Sequence, residues 1–177
     1  ADSPRDKALI AVQNEAGTRI NELLTLQIKH VKVDEYGAII SVDGKTGARK
    51  VRLHTSQVEL AAWINTHPLK DNPEAPLWVT LDGKFNRMKP DAVRRQLEKT
   101  LKRAKITKRI FPHLFRHTEI TRLVLKLPDL AMKARHGLSA SSKMLARYSH
   151  LNQDDLDESY LGAIGAKVPE TKEQDRS

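Results

Sequence analysis

The stretch HVKVDEYGAIISVDGKTGARKVRLH, His30 to His54, departs from the helical spacing of the sequence on either side. Apolar residues alternate with polar ones here, which is typical of half-buried strands. We predict three strands over 29–34, 38–42 and 49–54, joined by the turn segments Glu35–Gly37 and Asp43–Gly47. Strands joined by such short turns pair antiparallel, so we expect a small three-stranded antiparallel sheet.

The sequence on both sides of this sheet has the apolar spacing of helices. We predict a first helix at 4–14 and a second that begins after Gly17 in GTRINELLTLQ. Further helices are predicted at 57–67, 90–104, 112–126, 128–135, 142–148 and 154–164. In the second helix, Ile20, Leu23, Leu24 and Ile28 would share one stripe. The fold class is therefore mainly α with a small antiparallel sheet, an α+β arrangement. We assign 1–164 to one domain and expect 165–177 to be a polar tail.

Composition limits the function classes. The 177 residues include no cysteine, which excludes disulfides, thiolate metal sites and a cysteine nucleophile. Seven histidines form no recognisable ligand motif, so we predict neither a metal site nor a cofactor. No apolar run reaches membrane-spanning length, and the first residues do not resemble a secretion signal. We expect an intracellular chain or a fragment, cytoplasmic and associated with the nucleoid.

The positive charge is concentrated in one segment. Lys84–Arg109 holds eleven basic and two acidic residues, an excess as large as the net charge of +9 for the whole chain. A solvated helix face would intersperse both signs, whereas a surface that binds a polyanion would not. Since no RNA-type aromatic motif is present, we predict duplex DNA as the partner. The candidate contacts are Lys84, Arg87, Arg94, Arg95, Lys102 and Arg103.

PHLFRHTEITRL, Pro112 to Leu123, is the strongest candidate for a chemical site. Proline suits the first turn of a helix, on which His113, Arg116 and His117 would share a face. A guanidinium beside imidazoles favours a phosphate as the bound group. Two histidines also suit a metal, but a third ligand is not evident and the adjacent arginine disfavours a cation.

Four segments, in order, resemble the catalytic domain of the tyrosine recombinases, the DNA integrases. RDKALIAVQNEAGTRINELLTL is similar to the first arginine motif of that family, and GKTGARKVRL to its lysine hairpin. PHLFRHT is similar to its H-x-x-R-H motif and ARYSHL to its tyrosine motif. SSKMLARYSHLNQDDLD most resembles the archaeal branch of the family, so we expect an archaeal or mobile-element type. The match runs from Arg5 to about Leu161.

The resemblance implies a metal-free strand transfer. Tyr148 would attack the phosphodiester and form a covalent 3′-phosphotyrosine. Without the resemblance, a core residue would be the better interpretation of this tyrosine. Arg19 and Arg116 would hold the phosphate, and Lys45 would protonate the leaving oxygen. His113 would assist proton movement. Glu22 would support Arg19, to which it could form an ordinary helical ion pair, and His117 would orient its neighbours.

One position departs from the family pattern. The family places a histidine or tryptophan between a glycine and a serine ahead of the tyrosine, whereas this chain has Leu138 between Gly137 and Ser139. Leucine cannot donate a hydrogen bond to the phosphate. His136, two residues earlier, is the remaining candidate for that donor.

The resemblance also implies partners. Full-length family members carry an N-terminal DNA-clamping domain, which we expect to be absent from this chain. The helix at 154–164 would dock on a neighbouring subunit in a tetrameric assembly on DNA, or alternatively pack on its own domain. A type IB topoisomerase and a DNA-binding module without catalysis remain the alternative functions.

Overall fold

The computed structural model describes residues 3–45, 47–124 and 126–138. Within them the chain forms α1 (Pro4–Ala16), α2 (Ile20–Leu24), a 3₁₀ turn (Ile28–His30), and the strands β1 (Val31–Asp34), β2 (Gly37–Gly44) and β3 (Gly47–Leu53). The helices α3 (Gln57–Asn65), α4 (Pro90–Arg103), α5 (Pro112–Leu123) and α6 (Asp129–His136) follow. The predicted class, mainly helical with a three-stranded sheet, is confirmed. The predicted helices at 142–148 and 154–164, and the tail 165–177, lie outside the described residues.

The sheet has the order β1-β2-β3, and both pairs of strands are antiparallel. Its buried face follows the alternation of the sequence, with Ala38, Ile40 and Val42 of β2 beside Val51 and Leu53 of β3. This face packs in the main core with α1 and α3. Trp63 of α3 donates its indole hydrogen to the Leu77 carbonyl oxygen at 2.8 Å, which ties the helix to the extended segment after it.

Among the predicted boundaries that were wrong, two concern the second helix and the hairpin. The second helix ends at Leu24, and Ile28 belongs to the 3₁₀ turn, so the predicted stripe to Ile28 is not helical. The hairpin of β2 and β3 is longer than predicted, because Gly44 pairs with Gly47. Lys45 directly follows Gly44 and therefore lies at the tip of the hairpin.

A second, smaller apolar cluster joins α5 to α6 and contains Ile120, Met132 and Leu138. Leu138 is 9 % exposed, so the residue that departs from the family pattern serves this cluster. α1 lies against both α3 and α5. Gly17, which caps the end of α1, thereby accepts a hydrogen bond from Arg116 of the PHLFRHT motif. Among the described helices none is long and apolar enough to cross a membrane.

Candidate active site

Arg116 is the buried centre of the site. It projects from α5 and is 1 % exposed. One terminal nitrogen donates to the Gly17 carbonyl oxygen at 2.9 Å, and the other donates to the His136 carbonyl oxygen at 2.7 Å. A planar guanidinium can make both bonds at once, so this side chain links the ends of α1 and α6.

The charge on Arg116 is not balanced by an ion pair within the described residues. Burial and the positive charges of Arg19 and Arg49 together lower the pKa of Arg116 to about 10, against the opposing charge of Glu22. A pKa of about 10 still leaves the group protonated at neutral pH. The site therefore holds a buried cation in surroundings that favour an incoming anion.

Arg19 lies next to this cation and is more accessible, with 38 % of its side chain exposed. It is the residue before α2, and Glu22 accepts both from its backbone nitrogen at 3.0 Å and from its guanidinium at 2.8 Å. Its other terminal nitrogen reaches the Gly137 carbonyl oxygen at 3.4 Å. The predicted contact between Arg19 and Glu22 is thus present in the structure.

Arg49 of β3 is a site residue that sequence reasoning missed. Its side chain is 9 % exposed, and it donates to the second carboxylate oxygen of Glu22 at 2.7 Å. Burial raises the pKa of Glu22, but the hydrogen bonds from Arg49 and then Arg19 outweigh burial and lower it. The alternation of β3 places residue 49 on the same face as the buried Val51 and Leu53, and that pattern could have identified it.

Lys45 is exposed at the tip of the β2–β3 hairpin, beside this carboxylate. The residue before it, Gly44, approaches Glu22 so closely that a Cβ at that position would lie 2.2 Å from a carboxylate oxygen. Any larger residue would displace either the hairpin or the carboxylate. The structure therefore brings the predicted lysine and the Arg19–Glu22 pair to one side of the molecule.

His113 and His117 lie one turn apart on α5, with ring centroids 5.2 Å apart in an edge-to-face arrangement. Burial lowers the pKa of His113, and the charges of His117, Arg116 and Arg19 add to this effect. His113 therefore shares the electrostatic environment of both arginines. No group of three potential metal-ligating side chains occurs among the residues that the structure describes.

His136 lies differently from the other candidates, because its ring is fully buried. A Cβ on Gly17 would lie 3.1 Å from its Cε1 atom. Burial lowers the pKa of His136 to about 3, helped by the charges of Arg116, Arg135 and Arg49. In the described part of the chain neither ring nitrogen has a hydrogen-bond partner. The ring is neutral and enclosed, and it would have to move to reach a phosphate.

Tyr148 lies outside the described residues. The candidate DNA contacts lie mainly on α4, which buries Val93 and Leu97 and exposes Arg94, Arg95, Lys102 and Arg103. Lys84 is exposed in the loop before this helix. Arg87 donates to the Leu24 carbonyl oxygen at 2.7 Å, so its guanidinium is used in part to hold that loop.

Comparison with known proteins gives consistent matches. The model of the phage integrase family matches residues 1–155. A tyrosine recombinase XerD of Ralstonia nicotianae is 30% identical over 158 residues, which is 86% of this chain and 50% of that protein. A tyrosine recombinase XerC of Pseudomonas putida is 25% identical over 154 residues, with the same coverage of 86% and 50%. The chain spans about half the length of these relatives.

Solved structures show the same similarity. The crystal structure of the XerA recombinase superposes with a TM-score of 0.70 at 27% identity, over 91% of this chain and 57% of that chain. The XerH site-specific recombinase in a pre-cleavage complex with its difH substrate gives a TM-score of 0.68 at 25% identity, over 89% of this chain and 46% of that chain.

Proposed function

Because this chain belongs to the phage integrase family, we propose that it is the catalytic part of a site-specific DNA recombinase. The observation that carries the proposal is the buried, protonated Arg116, which has no ion-pair partner in the described region and lies close to Arg19. The phosphodiester of duplex DNA is the anion that we assign to it. The relatives named as recombinases, and XerH in complex with its DNA substrate, support the same assignment.

The proposed reaction conserves phosphodiester bonds. The Tyr148 hydroxyl oxygen attacks the phosphorus, its proton passes to His113, and a 3′-phosphotyrosine forms as the bond to the 5′ oxygen breaks. Lys45 gives that oxygen a proton. In the second step a 5′-hydroxyl of another strand attacks the phosphotyrosine, and Tyr148 leaves with its proton restored.

The two arginines stabilise the transition state in this scheme. Arg19 and Arg116 neutralise the non-bridging oxygens, which carry the developing charge, so no metal ion is required. Glu22 holds Arg19 in place and His117 orients its neighbours on α5. His136 remains a proposed donor to the phosphate that acts only if its ring leaves the buried position.

The test is covalent trapping. We would incubate the chain with a library of nicked duplexes of randomised sequence, in which the cut strand cannot be resealed, and recover protein–DNA adducts that resist detergent. We expect adducts from the unaltered chain and from Tyr36→Phe, which changes an exposed turn residue, but none from Tyr148→Phe. EDTA should leave the yield unchanged. Adducts from Tyr148→Phe, or loss of adducts in EDTA, would contradict the mechanism.

A second assay separates recombination from topoisomerase activity. A 5′-hydroxyl strand of new sequence is added to the trapped adduct, and supercoiled plasmid carrying the recovered site is incubated in parallel. A recombinase joins the adduct to the new strand. Relaxation of the plasmid without such joining would favour the topoisomerase alternative.

We also propose that the protein acts in the cytoplasm and assembles on DNA as a tetramer through the segment 154–164. The stripe predicted for Leu156, Tyr160, Leu161 and Ile164 would need to be covered, since each such side chain in water forfeits roughly 1.5–3 kcal/mol. Deleting 154–177 should abolish higher-order complexes on DNA, as measured by light scattering, without changing the melting temperature of the free chain. A large loss of thermal stability would show that the segment packs on its own domain.

A further inference from the structure

Arg49 joins three separate parts of the chain around one carboxylate. Its terminal nitrogen donates to Glu22 at 2.7 Å, and its Nε donates to the Arg135 carbonyl oxygen in α6 at 3.0 Å. We propose that Arg49 is the positioning residue that docks the Lys45 hairpin beside the phosphate site. The inference rests on the proposed function, in which Lys45 must reach the leaving oxygen.

The strand register places Arg49 where it can control the tip. Arg49 pairs with Val42, two residue pairs away from Gly44 and Gly47, which close the turn around Lys45. Lys45 itself makes no hydrogen bond or ion pair with the residues that the structure describes. Arg49 and Gly44 both contact Glu22. The end of the hairpin is therefore held at this carboxylate.

Glu22 is a suitable docking point because Arg19 holds it independently. Its carboxylate keeps two bonds from Arg19, one to the guanidinium and one to the backbone nitrogen. Loss of Arg49 would remove the link to the hairpin and leave the Arg19–Glu22 pair in place. We therefore expect Arg49 to affect proton donation by Lys45 more than phosphate binding by the arginines.

The burial of Arg49 is costly in a way that fits a positioning role. Its remaining terminal nitrogen is buried without a hydrogen-bond partner among the described residues. An unsatisfied donor on a buried cation reduces stability, so the residue is not placed there for stability alone. Arg52, three residues later, provides the contrast, because it forms an exposed ion pair with Asp34.

The chemical test uses a leaving group that needs no acid. On a suicide duplex of the recovered sequence, we would compare the normal 5′ oxygen with a bridging sulfur, which leaves readily as a thiolate. Arg49→Met should slow cleavage of the oxygen substrate on the order of 100-fold, as a displaced catalytic group does. On the sulfur substrate, the cleavage rate of Arg49→Met should recover to the same degree as that of Lys45→Ala. Arg52→Met should cleave both substrates as the unaltered chain does.

Two cleavage results would overturn the inference. Slow cleavage of both substrates by Arg49→Met would assign Arg49 to the phosphate clamp or to the fold. Normal cleavage of both substrates would show that Arg49 does not position Lys45. If the unaltered chain forms no adduct with any duplex, the proposed function fails. The docking role can then still be tested by hydrogen exchange of the free protein. If Arg49 docks the hairpin, the amides of residues 42–49 should exchange faster in Arg49→Met than in Arg52→Met. Equal exchange would refute the docking role.

Discussion

Arg116 is a buried cation whose charged neighbours include two other guanidiniums, an arrangement that stability alone does not explain. Removing a cation from water costs several kcal/mol, and its two bonds to carbonyl oxygens offset only about 1.5–3 kcal/mol each. The negative charge that acts on it is that of Glu22, whose oxygens are bonded to Arg19 and Arg49. The unbalanced charge is what a phosphate would neutralise.

Replacing Arg116 with lysine should therefore abolish most of the activity while retaining the charge. An ammonium on a flexible stem cannot bond the carbonyls of Gly17 and His136 and still present a second donor to the phosphate. We expect single-turnover cleavage of the suicide duplex to fall on the order of 100-fold or more. Arg122→Lys on the same helix alters a half-exposed ion pair with Glu119 and serves as the control. Cleavage near the normal rate in Arg116→Lys would make this arginine purely structural.

Gly17 is the second residue on which the site depends, for two separate reasons. Its φ of +56° is strained for any residue with a Cβ, and an added Cβ would lie 3.0 Å from the side chain of Glu119. We expect Gly17→Ala to lower the free energy of unfolding by more than the roughly 1–2 kcal/mol that the left-handed backbone alone costs. Urea denaturation would measure this loss.

Gly83 is the matched control for that substitution. Its φ is +83°, and a Cβ there would meet nothing within 4 Å. Gly83→Ala should therefore show the backbone strain without the steric overlap. Equal losses in the two variants would show that the contacts of Gly17 with Glu119 and His136 add nothing.

The helices and strands differ in how far the sequence determines them. The hairpin and α5 could be predicted because alternation, turn residues and an N-terminal proline are local signals. The end of α2 at Leu24 could not, because the chain leaves the helix to pair Gln27 with Pro76, about fifty residues later. Arg49 was missed for a similar reason, since an arginine in a strand is normally exposed and only tertiary packing buries this one.

α4 should bind DNA through its exposed face without reading base sequence. Neutralising Arg94, Arg95, Lys102 and Arg103 together leaves the buried Val93 and Leu97 intact, so the helix should still pack. Each lost phosphate contact lowers the number of counterions that are released on binding. This weakens binding to all sequences and reduces the slope of log K against log salt. Titrations with unrelated duplexes at several salt concentrations would measure both effects.

The control for α4 removes the same charge elsewhere. Lys7, Lys32, Lys70 and Lys126 are exposed on other segments, and neutralising them should change the salt slope less. A loss confined to one DNA sequence, with an unchanged slope in the α4 variant, would show instead that this helix reads bases.

The described part of the site depends on segments that are distant in sequence and meet at the end of α1. Arg19 and Glu22 follow that helix, Lys45 and Arg49 come from the hairpin, and Arg116 comes from α5. The family motifs predicted four of these residues, but their meeting point depends on packing of α1 against α3 and α5. Whatever fixes the end of α1 therefore fixes the site, and the buried carboxylate of Glu15 makes several such contacts.

Glu15 should make the stability of the whole molecule depend on acid pH. Its carboxylate accepts from the backbone nitrogens of His54, Thr55 and Ser56 and from the Ser56 hydroxyl, which joins α1 to the start of α3. Burial raises the pKa of Glu15, but these hydrogen bonds outweigh burial and lower it from 4.5 to about 2. The unfolded chain then binds the proton more tightly, so this stabilisation is complete above about pH 4.5 and is lost as the pH falls towards 2.

Urea denaturation from pH 7 to pH 3 should show a loss on the order of 1–3 kcal/mol that Glu15→Gln largely removes. Glu35→Gln, in an exposed turn, should keep the pH dependence of the unaltered chain, and an equally steep loss in Glu15→Gln would mean that other carboxylates dominate.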